Sequence, residues 1–451
     1  MKDLVDKYNI PGPRYTSYPT VPYWDENTFS ADNWKKSIKT NFYPENNEIS
    51  LYIHLPFCES LCTFCACNKR ITKRHDVEKP YIKAVLKEFD LYLAQLSHLP
   101  QIKEMHLGGG TPTFFSPENL HELISGLLSK TQKAEQVDFS FEGHPNNTTY
   151  QHLKTLYDLG FRRVSYGIQD YNPEVQVAIH RVQSFENVKK VTEMAREIGY
   201  TSVGHDLIFG LPHQQVDDIK NTISKTQELM PDRIAFYSYA HVPWIKGNGQ
   251  RGFNKLDLPS AQTKREQYET GKEKLEEAGY FELGMDHFAL PSDELYQAYE
   301  QGKMHRNFMG YTTTKTSKLI GLGVSAISDS WYGFAQNEKK LEDYYKRLDI
   351  DELPVFRGHI LSDTDLVIRQ HILNLMCQLK TNWKKSELYI PEIADILIDL
   401  KEMQEDDLLD IDSHSIKVKP AGRALIRNIC MAFDLRLKEN KPQRRLFSQT
   451  I

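Results

Sequence analysis

The sequence predicts an α/β fold built on a partial, open or closed barrel of alternating strands and helices. Six apolar strand segments alternate with helical patterns between residue 49 and about residue 279. Such alternation favours a parallel sheet joined by right-handed crossovers. The strand segments also end in polar or glycine residues, which is typical of the carboxyl-terminal rim of a barrel, where ligands bind.

The strand signal fades after about residue 335, where apolar residues recur at spacings of three and four. We therefore expect three parts: an N-terminal arm over residues 1–45, a barrel domain over residues 46–335 and a smaller, mostly helical C-terminal domain over residues 336–451.

The N-terminal arm places prolines among tyrosines in the segment YNIPGPRYTSYPTVPYW. Each proline moves the preceding residue out of the helical region, so we expect an extended segment. A surface arm without a function would account for the pattern. Four tyrosines and Arg14 in so stiff a segment favour an arm that lies over something.

The elements of the barrel follow in order. Strands are predicted in the segments ISLYIHLPF, KEMHLGG, VDFSFEGHP, RVSYGIQD, SVGHDLIFGLP and RIAFYSYAH. Helices are predicted near residues 78–97, 149–159, 185–198, 215–229 and 260–279. Another helix begins in SPENLHELISGLL, with Ser116 as the N-cap and Pro117 at the first helical position.

The C-terminal domain is predicted to hold helices over LVIRQHILNLMCQLK and IADILIDLKEMQEDDLL. A strand or turn and a further helix follow in HSIKVKPAGRALIRNICMAFD, and the chain then carries a basic tail, LRLKENKPQRRLF.

Composition excludes several function classes. The 451 residues are 40% hydrophobic and 26% charged, as in a globular protein, and the net charge of -5 provides no general attraction for nucleic acid or an anionic membrane. We see neither a signal peptide nor a run of eighteen apolar residues that would span a membrane. We therefore expect a cytoplasmic protein, whose thiols stay reduced.

Four of the six cysteines lie within ten residues, at Cys58, Cys62, Cys65 and Cys67. Zinc sites usually combine two separated pairs, whereas soft thiolates in one short loop suit an iron–sulfur cluster. Three ligands on a four-iron cluster would leave one iron open to a small molecule. The alternative is a loop of ordinary reduced thiols.

The C-x3-C-x2-C motif after the first predicted strand resembles that of the radical S-adenosylmethionine (SAM) superfamily. The resemblance implies a radical SAM barrel of the (β/α)6 type, in which the open iron of a [4Fe-4S] cluster binds SAM and an electron cleaves it to a 5′-deoxyadenosyl radical. The motif says little about the substrate.

Further segments narrow the family. They are GPRYTSYPT, LYIHLPFCESLCTFCACN, GGGTPT, YGIQD, DLIFGLP, YAHVP, GMDHFA, HRNFMGYTT, GVSAIS and GRALIRNICMAFD. Together they resemble the oxygen-independent coproporphyrinogen III oxidase family over nearly the whole chain. The resemblance implies oxidative decarboxylation of two propionates of coproporphyrinogen III to vinyl groups, in haem biosynthesis. It also implies two SAM molecules, an unidentified electron donor for the cluster and a monomer.

The family pattern assigns the site residues. Cys58, Cys62 and Cys65 would hold the cluster, and Cys67 would lie near the second SAM unless it is only a small buried residue. The remaining assignments to the two SAM molecules are Tyr52, Phe64, Gly109, Gly110, Thr111, Glu142, Gln169, Arg181, Asp206, Ala240 and Ile327.

Each assignment has a chemical reason and a plainer alternative. Glycines let a ligand approach the backbone, and exposed amides there could bind the methionine end of SAM, although a tight turn also explains GGGTPT. Glu142 could bind the SAM ammonium. Gln169 and Asp206 are predicted to close strands, with Asp206 holding ribose hydroxyls or capping a turn. Arg181 could pair with a carboxylate or lie on a helix surface.

The segment EGHPNN departs from the family pattern after Glu142, because Gly143 and His144 replace an apolar residue and an acid. We expect His144 to be structural. The tetra-anionic substrate requires cationic contacts, for which Arg14 is the leading candidate and Arg306 and Arg427 follow.

Two other functions stay open at this point: a tetrapyrrole-binding haem chaperone that keeps a cluster for structure, and a radical SAM enzyme that modifies haem. Cys67 and the N-terminal arm favour the oxidase over both.

Overall fold

A computed structural model describes residues 2–25, 27, 29–244, 249–250, 252–440, 442 and 446–450. The strands are β1 (Glu48–Leu55), β2 (Phe57–Cys58), β3 (Arg70–Ile71), β4 (Gln101–Gly109), β5 (Gln132–Gly143), β6 (Arg163–Gln169), β7 (Ser202–Phe209), β8 (Arg233–Ser238), β9 (Phe281–Leu283), β10 (His287–Ala289), β11 (His305–Asn307), β12 (Gly310–Thr312), β13 (Lys318–Leu322), β14 (Ile327–Asp329), β15 (Gly333–Asn337), β16 (Val355–Ile360), β17 (Lys380–Asn382), β18 (Leu409–Asp412) and β19 (Ser415–Val418).

The helices are α1 (Lys2–Tyr8), α2 (Ala31–Lys39), α3 (Glu78–Leu93), α4 (Pro117–Leu128), α5 (Tyr150–Asp158), α6 (Pro173–Ala178), α7 (Phe185–Ile198), α8 (Val216–Leu229), α9 (Ala261–Glu277), α10 (Glu294–Glu300), α11 (Leu341–Asp349), α12 (Asp363–Gln378), α13 (Ile393–Glu405), α14 (Ile426–Phe433) and α15 (Leu435–Glu439).

One large sheet organises the chain. Its strands lie in the order β16-β15-β14-β13-β1-β4-β5-β6-β7-β8-β10-β9. The six strands from β1 to β8 in this order pair in parallel, and helices separate them along the chain. Within the described residues, β16 and β9 form the two edges and do not pair with each other. The predicted partial (β/α)6-type barrel is confirmed, and it is open.

The sequence explains why these elements form. Strand β1 buries both faces, which is usual for a parallel strand covered by helices. Helix α4 begins as predicted, with the Ser116 side chain accepting from the Asn119 amide and Pro117 at the first position. Apolar residues of helices α3, α4, α5, α7 and α8 pack on the parallel strands in the largest hydrophobic cluster. This packing holds the strand ends, and the residues on them, in fixed positions.

The N-terminal arm differs from the prediction of an extended segment. It begins with α1 and ends with α2, whose N-cap Ser30 accepts from the Asn33 amide. The proline-containing segment over residues 9–24 has no α-helix, so the difference lies at the two ends of the arm. Tyr15 and Tyr18 are each 2% exposed and pack into the core of the C-terminal helices. The arm is therefore a buried structural segment.

The C-terminal part also contains more strand than predicted. The boundary predicted at residue 335 falls inside β15, and β16 extends the large sheet to Ile360. A three-stranded antiparallel sheet, β17-β19-β18, packs with α12, α13 and α14. These strands are short and lack a long alternating pattern, so the helical periodicity around them dominates the sequence signal. The three-part division stays a prediction, with its second boundary moved beyond residue 360.

The basic tail continues as α15, and its remaining basic residues, Lys441, Arg444 and Arg445, lie outside the described residues. The end of the chain pairs with the arm: the Thr450 amide donates to the Ile10 carbonyl (2.9 Å), and the Gly12 amide donates to the Ser448 carbonyl (3.1 Å). In the part of the chain that the structure describes, no helix has the length and apolar character needed to cross a membrane.

Candidate active site

The cysteine loop lies at the carboxyl end of the barrel. It begins after β2, and the pairing of β2 with β3 closes its base. The Thr63 hydroxyl donates to the Ala178 carbonyl (2.9 Å), which ties the loop to helix α6. All four cysteines of the loop line one cavity of about 560 Å³. The structure therefore brings together the three predicted cluster ligands and Cys67.

Polar groups surround the thiols. The Thr111 hydroxyl lies 3.5 Å from Cys58 Sγ, and Arg181 Nη1 lies 3.9 Å from Cys62 Sγ. Burial raises the pKa of Cys58 to about 11, whereas a hydrogen bond with Cys67 lowers the pKa of Cys65 to about 6. Donors of this kind stabilise thiolate sulfur, the form that ligates metal.

The cavity fits an iron–sulfur cluster better than a single ion. No group of three or more His, Cys, Asp or Glu side chains in the described ranges could hold one metal ion. A four-iron cluster instead takes one thiolate on each ligated iron, so its ligands need not converge on one point. Soft thiolates and glycines that line the same cavity match such a group.

The glycine segment at the end of β4, residues 109–111, lines the cavity beside Cys58 and is called the glycine wall below. Gly109 has a φ of +112°, and a Cβ built on it would lie 2.7 Å from the His54 ring. The Gly110 amide donates to the Leu55 carbonyl (2.8 Å), and the Thr111 amide donates to the Phe57 carbonyl (3.0 Å). The prediction of exposed amides is therefore wrong for these two, because the glycines bring two backbone segments together and occupy those donors.

Tyr52 and His54 form a chain of hydrogen bonds beneath this wall. His54 Nε2 lies 2.9 Å from the Asn68 carbonyl, which can only accept, so Nε2 carries the proton. His54 Nδ1 then accepts from the Tyr52 hydroxyl at 3.0 Å. Burial lowers the pKa of His54, which keeps the ring neutral. Tyr52 itself does not line the cavity, and its ring stacks on His106 at 6.1 Å.

Glu142 lies near the end of β5, as predicted, and its side chain is 47% exposed in the cavity. His106 Nε2 lies 3.6 Å from Glu142 Oε1. A Cβ on Gly108 would lie 3.1 Å from that oxygen, so glycine makes room for the carboxylate. The accessible carboxylate can accept hydrogen bonds from a bound ammonium group.

The residues after Glu142 explain the departure from the family pattern. A Cβ on Gly143 would lie 2.8 Å from the Tyr166 ring, so a side chain does not fit there. His144 lines the cavity, and its Nδ1 accepts from the Asn146 amide at 3.1 Å. Burial lowers the pKa of His144 to about 3, so it is neutral.

Gln169, Arg181 and Asp206 also line the cavity. Gln169 ends β6, as predicted, with a φ of +69°. Asp206 lies within β7 rather than at its end, so that part of the prediction is wrong. Burial raises the pKa of Asp206 to about 7, and the Ser165 hydroxyl donates to it at 2.8 Å.

Arg181 neither pairs with a carboxylate in the described residues nor lies on a helix surface. Its Nη2 donates to the Gly167 carbonyl (2.8 Å), and its Nε donates to Gln183 Oε1 (3.1 Å). Gly167 pairs with Asp206 across the sheet, so Arg181 holds the strand beside that carboxyl.

Of three further residues assigned to SAM, one lines the cavity and two do not. Phe64 lines the cavity and packs against the small apolar cluster of Val175 and Ile208. Ala240 and Ile327 do not line it. The Ala240 carbonyl accepts from Gln250 Nε2 at 3.0 Å, and Ile327 packs beside Trp24 and Phe334.

The three arginines assigned to the substrate lie together around the arm. Arg14 Nη1 donates to Asp286 Oδ2 (3.1 Å), and Arg14 Nη2 donates to the Ser238 carbonyl (3.0 Å). Arg306 donates to the carbonyls of Arg14 and Tyr15. Arg427 is 4% exposed and donates to the carbonyls of Pro13, Gly12 and Gln449. Arg306 and Arg427 therefore bind the arm's backbone.

Sequence reasoning missed two charged residues of this region, Lys264 and Asp286. Lys264 Nζ donates to the Tyr239 carbonyl at 3.0 Å, and Asp286 accepts from Arg14. Asp286 stands in the GMDHFA segment, which could have pointed to it. Lys264 lies in a helix with many charged residues and carries no distinguishing signal.

Comparison with known proteins places this geometry among relatives. A family model described as the radical SAM superfamily matches residues 52–226. The oxygen-independent coproporphyrinogen III oxidase of Helicobacter pylori (strain ATCC 700392 / 26695) is 39% identical over 456 residues, with 99% of this chain and 98% of the relative covered. The oxygen-independent coproporphyrinogen III oxidase of Escherichia coli (strain K12) is 38% identical over 453 residues, with 99% and 98% covered.

A solved structure is similar over the same length. Coproporphyrinogen III oxidase (HemN) from Escherichia coli, described as a radical SAM enzyme, matches with a TM-score of 0.88 and 37% identity. The match covers 94% of this chain and 97% of that chain.

Proposed function

The chain belongs to the family of oxygen-independent coproporphyrinogen III oxidases, which makes it a radical SAM oxidoreductase, and on this premise we propose that it carries out the oxidative decarboxylation of coproporphyrinogen III. Each of two propionate side chains becomes a vinyl group by losing a β-hydrogen atom, carbon dioxide and one electron, which passes to an unidentified electron acceptor, and the product is protoporphyrinogen IX. The observation that carries the proposal is full-length similarity to these oxidases, in a chain whose four clustered cysteines line one cavity.

Cys58, Cys62 and Cys65 hold a [4Fe-4S] cluster in this proposal, each through one thiolate. When bound, the cluster and SAM together supply the oxidant that removes a hydrogen atom from the β-carbon of a propionate. Cys67 stays unligated and faces the cofactors. Its hydrogen bond with Cys65 raises the pKa of Cys67.

Two SAM molecules occupy the cavity in this proposal. Glu142 accepts from the ammonium group of the first, and Tyr52 and His54 hold the glycine wall against which it lies. Asp206, Gln169 and Arg181 bind the second. Burial raises the pKa of Asp206 to about 7, which favours its protonated form over a bare carboxylate. A protonated carboxyl group both donates and accepts hydrogen bonds with ribose hydroxyls. The cavity volume of about 560 Å³ is within the usual range for small-molecule sites.

The proposal also covers the oligomeric state, the electron donor and the location. The enzyme acts as a monomer on a small tetrapyrrole and receives electrons from an unidentified donor. We expect it in the cytoplasm, where a reducing environment keeps its thiols reduced.

The test is a turnover assay without oxygen. Anaerobically purified enzyme receives a reductant, SAM and coproporphyrinogen III, and carbon dioxide and the vinyl product are measured. We expect turnover by the wild type and by Cys377→Ala, which changes a buried cysteine of a separate apolar cluster. Cys62→Ser should abolish turnover.

Three results would contradict the proposal. Tight haem binding without turnover would indicate a chaperone, and haem modification in place of decarboxylation would indicate a different enzyme. Full activity of Cys62→Ser would exclude the proposed cluster ligands.

A further inference from the structure

We propose that Lys264 and Arg14 together form a carboxylate-binding site that holds a propionate of the tetrapyrrole at the end of strand β8. The inference rests on the proposed function and deepens it, because it adds an unassigned residue and separates the substrate-binding cations from those that hold the arm.

The two cations lie on consecutive backbone carbonyls. Arg14 Nη2 donates to the Ser238 carbonyl (3.0 Å), and Lys264 Nζ donates to the Tyr239 carbonyl (3.0 Å). Ser238 is the last residue of β8, so both groups meet at the carboxyl-terminal rim of the barrel. Gly210 makes room for Lys264, because a Cβ there would lie 2.8 Å from its Cε.

Cations exceed anions around this point. Arg14, Lys264, Arg306 and Arg427 act on one another electrostatically or share contacts, and Asp286 is the carboxylate that pairs with Arg14. Within the described residues, Lys264 has no ion pair with a carboxylate. Buried like charges without anions destabilise one another, so the cluster favours an anionic ligand.

The effect of crowding is visible at Lys264. Burial first, and then the positive charges of the nearby Arg14 and Arg427, lower the pKa of Lys264 to about 7. A bound carboxylate would offset both effects, because it restores hydrogen bonds and adds an opposite charge.

The other two arginines bind the backbone of the arm. Arg427 binds the carbonyls of Gly12 and Pro13, and Arg306 binds those of Arg14 and Tyr15. The backbone on both sides of Arg14 is thereby fixed. A preorganised guanidinium loses less conformational entropy when it binds a carboxylate.

Neither residue of the pair is fully buried. The Arg14 side chain is 30% exposed, and Lys264 is partly exposed. Arg14 uses two of its five N–H donors and Lys264 uses one of three in the hydrogen bonds described.

The pair also lies close to the cofactor cavity. Asp206, which lines that cavity, pairs with Ala235 on β8, and Arg14 binds the carbonyl of Ser238, further along the same strand. A substrate with four propionates could therefore place one at the cofactors and another on the cationic pair. The chemistry of the site fits a carboxylate, and a tetrapyrrole supplies it in this enzyme.

The experiment measures the affinity of anaerobically purified enzyme for coproporphyrin III, the stable oxidised form of the substrate, and for its tetramethyl ester. We expect Lys264→Met to weaken binding of the acid about tenfold or more, the usual effect of losing one charge-assisted hydrogen bond. Lys264→Arg should bind nearly as the wild type does. Lys274→Met removes one charge from the same helix and should change nothing.

The ester separates charge recognition from packing. Because it has no carboxylates, its affinity should be the same in the wild type and Lys264→Met. Formation of 5′-deoxyadenosine from SAM and reductant alone should also stay unchanged. If the methionine variant is unstable, Lys264→Gln, which keeps a donor toward the Tyr239 carbonyl, serves the same test.

Unchanged affinity of Lys264→Met for coproporphyrin III, or an equal loss for the acid and the ester, would overturn the inference while leaving the oxidase function in place. If the wild type neither binds coproporphyrin III nor releases carbon dioxide, the proposed function itself fails.

Discussion

The shape of the glycine wall depends on close contacts between individual atoms. At Gly109 the backbone has a positive φ, and His54 occupies the place of a side chain. His54 is in turn fixed by Tyr52 and by the Asn68 carbonyl. The wall thus depends on a chain of contacts from the first strand to the cysteine loop, although its amides at Gly110 and Thr111 are already used.

We predict that Gly109→Ala lowers the free energy of unfolding by about 1–3 kcal/mol, through backbone strain and the contact with His54. It should also weaken SAM binding, because His54 and the wall must shift. Denaturant unfolding and equilibrium binding of SAM measure the two effects.

Gly302→Ala is the matched control, because Gly302 also has a positive φ but nothing lies within 4 Å of its added Cβ. It should lower stability by a smaller amount and leave SAM binding unchanged. Equal SAM affinity in Gly109→Ala and the wild type would show that the wall does not need glycine at position 109.

The sequence predicted many of the residues that line the cavity, but it did not predict how those residues are arranged. Glu142, Gln169 and Asp206, which the family resemblance assigned to SAM, all line this cavity. It could not show that the amides of Gly110 and Thr111 were occupied, because that depends on strand pairing. Nor could sequence distinguish Lys264 from the other charged residues of its helix.

Among the elements, the N-terminal arm is the one that links the two ends of the chain. Tyr15 packs in the C-terminal core, Arg427 binds the arm's carbonyls, and Thr450 pairs with Ile10. The C-terminal helices therefore position Arg14 at the barrel rim.

We predict that Arg427→Met releases this arm. The carbonyls of Gly12 and Pro13 lose their buried donor, so a protease should cleave the first 20 or so residues faster than in the wild type, by roughly tenfold. Turnover of coproporphyrinogen III should fall while SAM cleavage without substrate persists. Lys417→Met, which changes an exposed residue of β19, is the control, and identical cleavage rates in the two variants would contradict the proposed anchor.

Helix α15 is fastened to α12 through Asp365. Burial alone would raise the pKa of Asp365, but hydrogen bonds from His359, Arg436 and Ser362 lower it below its ordinary value. Arg436 Nη2 lies 2.8 Å from Asp365 Oδ2. A carboxyl whose pKa is lower in the folded chain stabilises it above the ordinary value and loses that contribution as the pH falls.

We predict that the wild type is more stable than Asp365→Asn at pH 7, and that the difference shrinks once the pH falls below the ordinary aspartate value of about 4. Thermal unfolding of both proteins between neutral and acid pH measures this difference. A difference that stays constant over that range would show that ionisation of Asp365 does not contribute.

Long periodic elements were predictable and short ones were not. The six parallel strands and the helices between them carry clear patterns, and α7 has the predicted bounds. Strand β14, which lies outside the set of six parallel strands, has three residues, too few to show an alternating pattern. Helix α2 left a signal, since Ser30 caps it and Trp34 and Ile38 share its buried face, but the prolines before it dominated the interpretation.

At the scale of the whole molecule, the barrel's rim gathers groups from distant parts of the chain. The cysteine loop, the glycine wall and the carboxylates of β5 and β7 share one cavity, while the arm and helix α9 bring cations to the end of β8. Strand and helix patterns predicted such a rim. The substrate came only from full-length resemblance, because no single motif specifies a tetrapyrrole.

The central claim is that three cysteines hold a cluster and the fourth does not. The most direct measurement is the iron and acid-labile sulfide content of anaerobically purified wild type, Cys62→Ser and Cys67→Ser. We predict about four irons and four sulfides per chain in the wild type and in Cys67→Ser, and loss of both in Cys62→Ser. Zinc in place of iron, or equal loss in the two variants, would contradict the account.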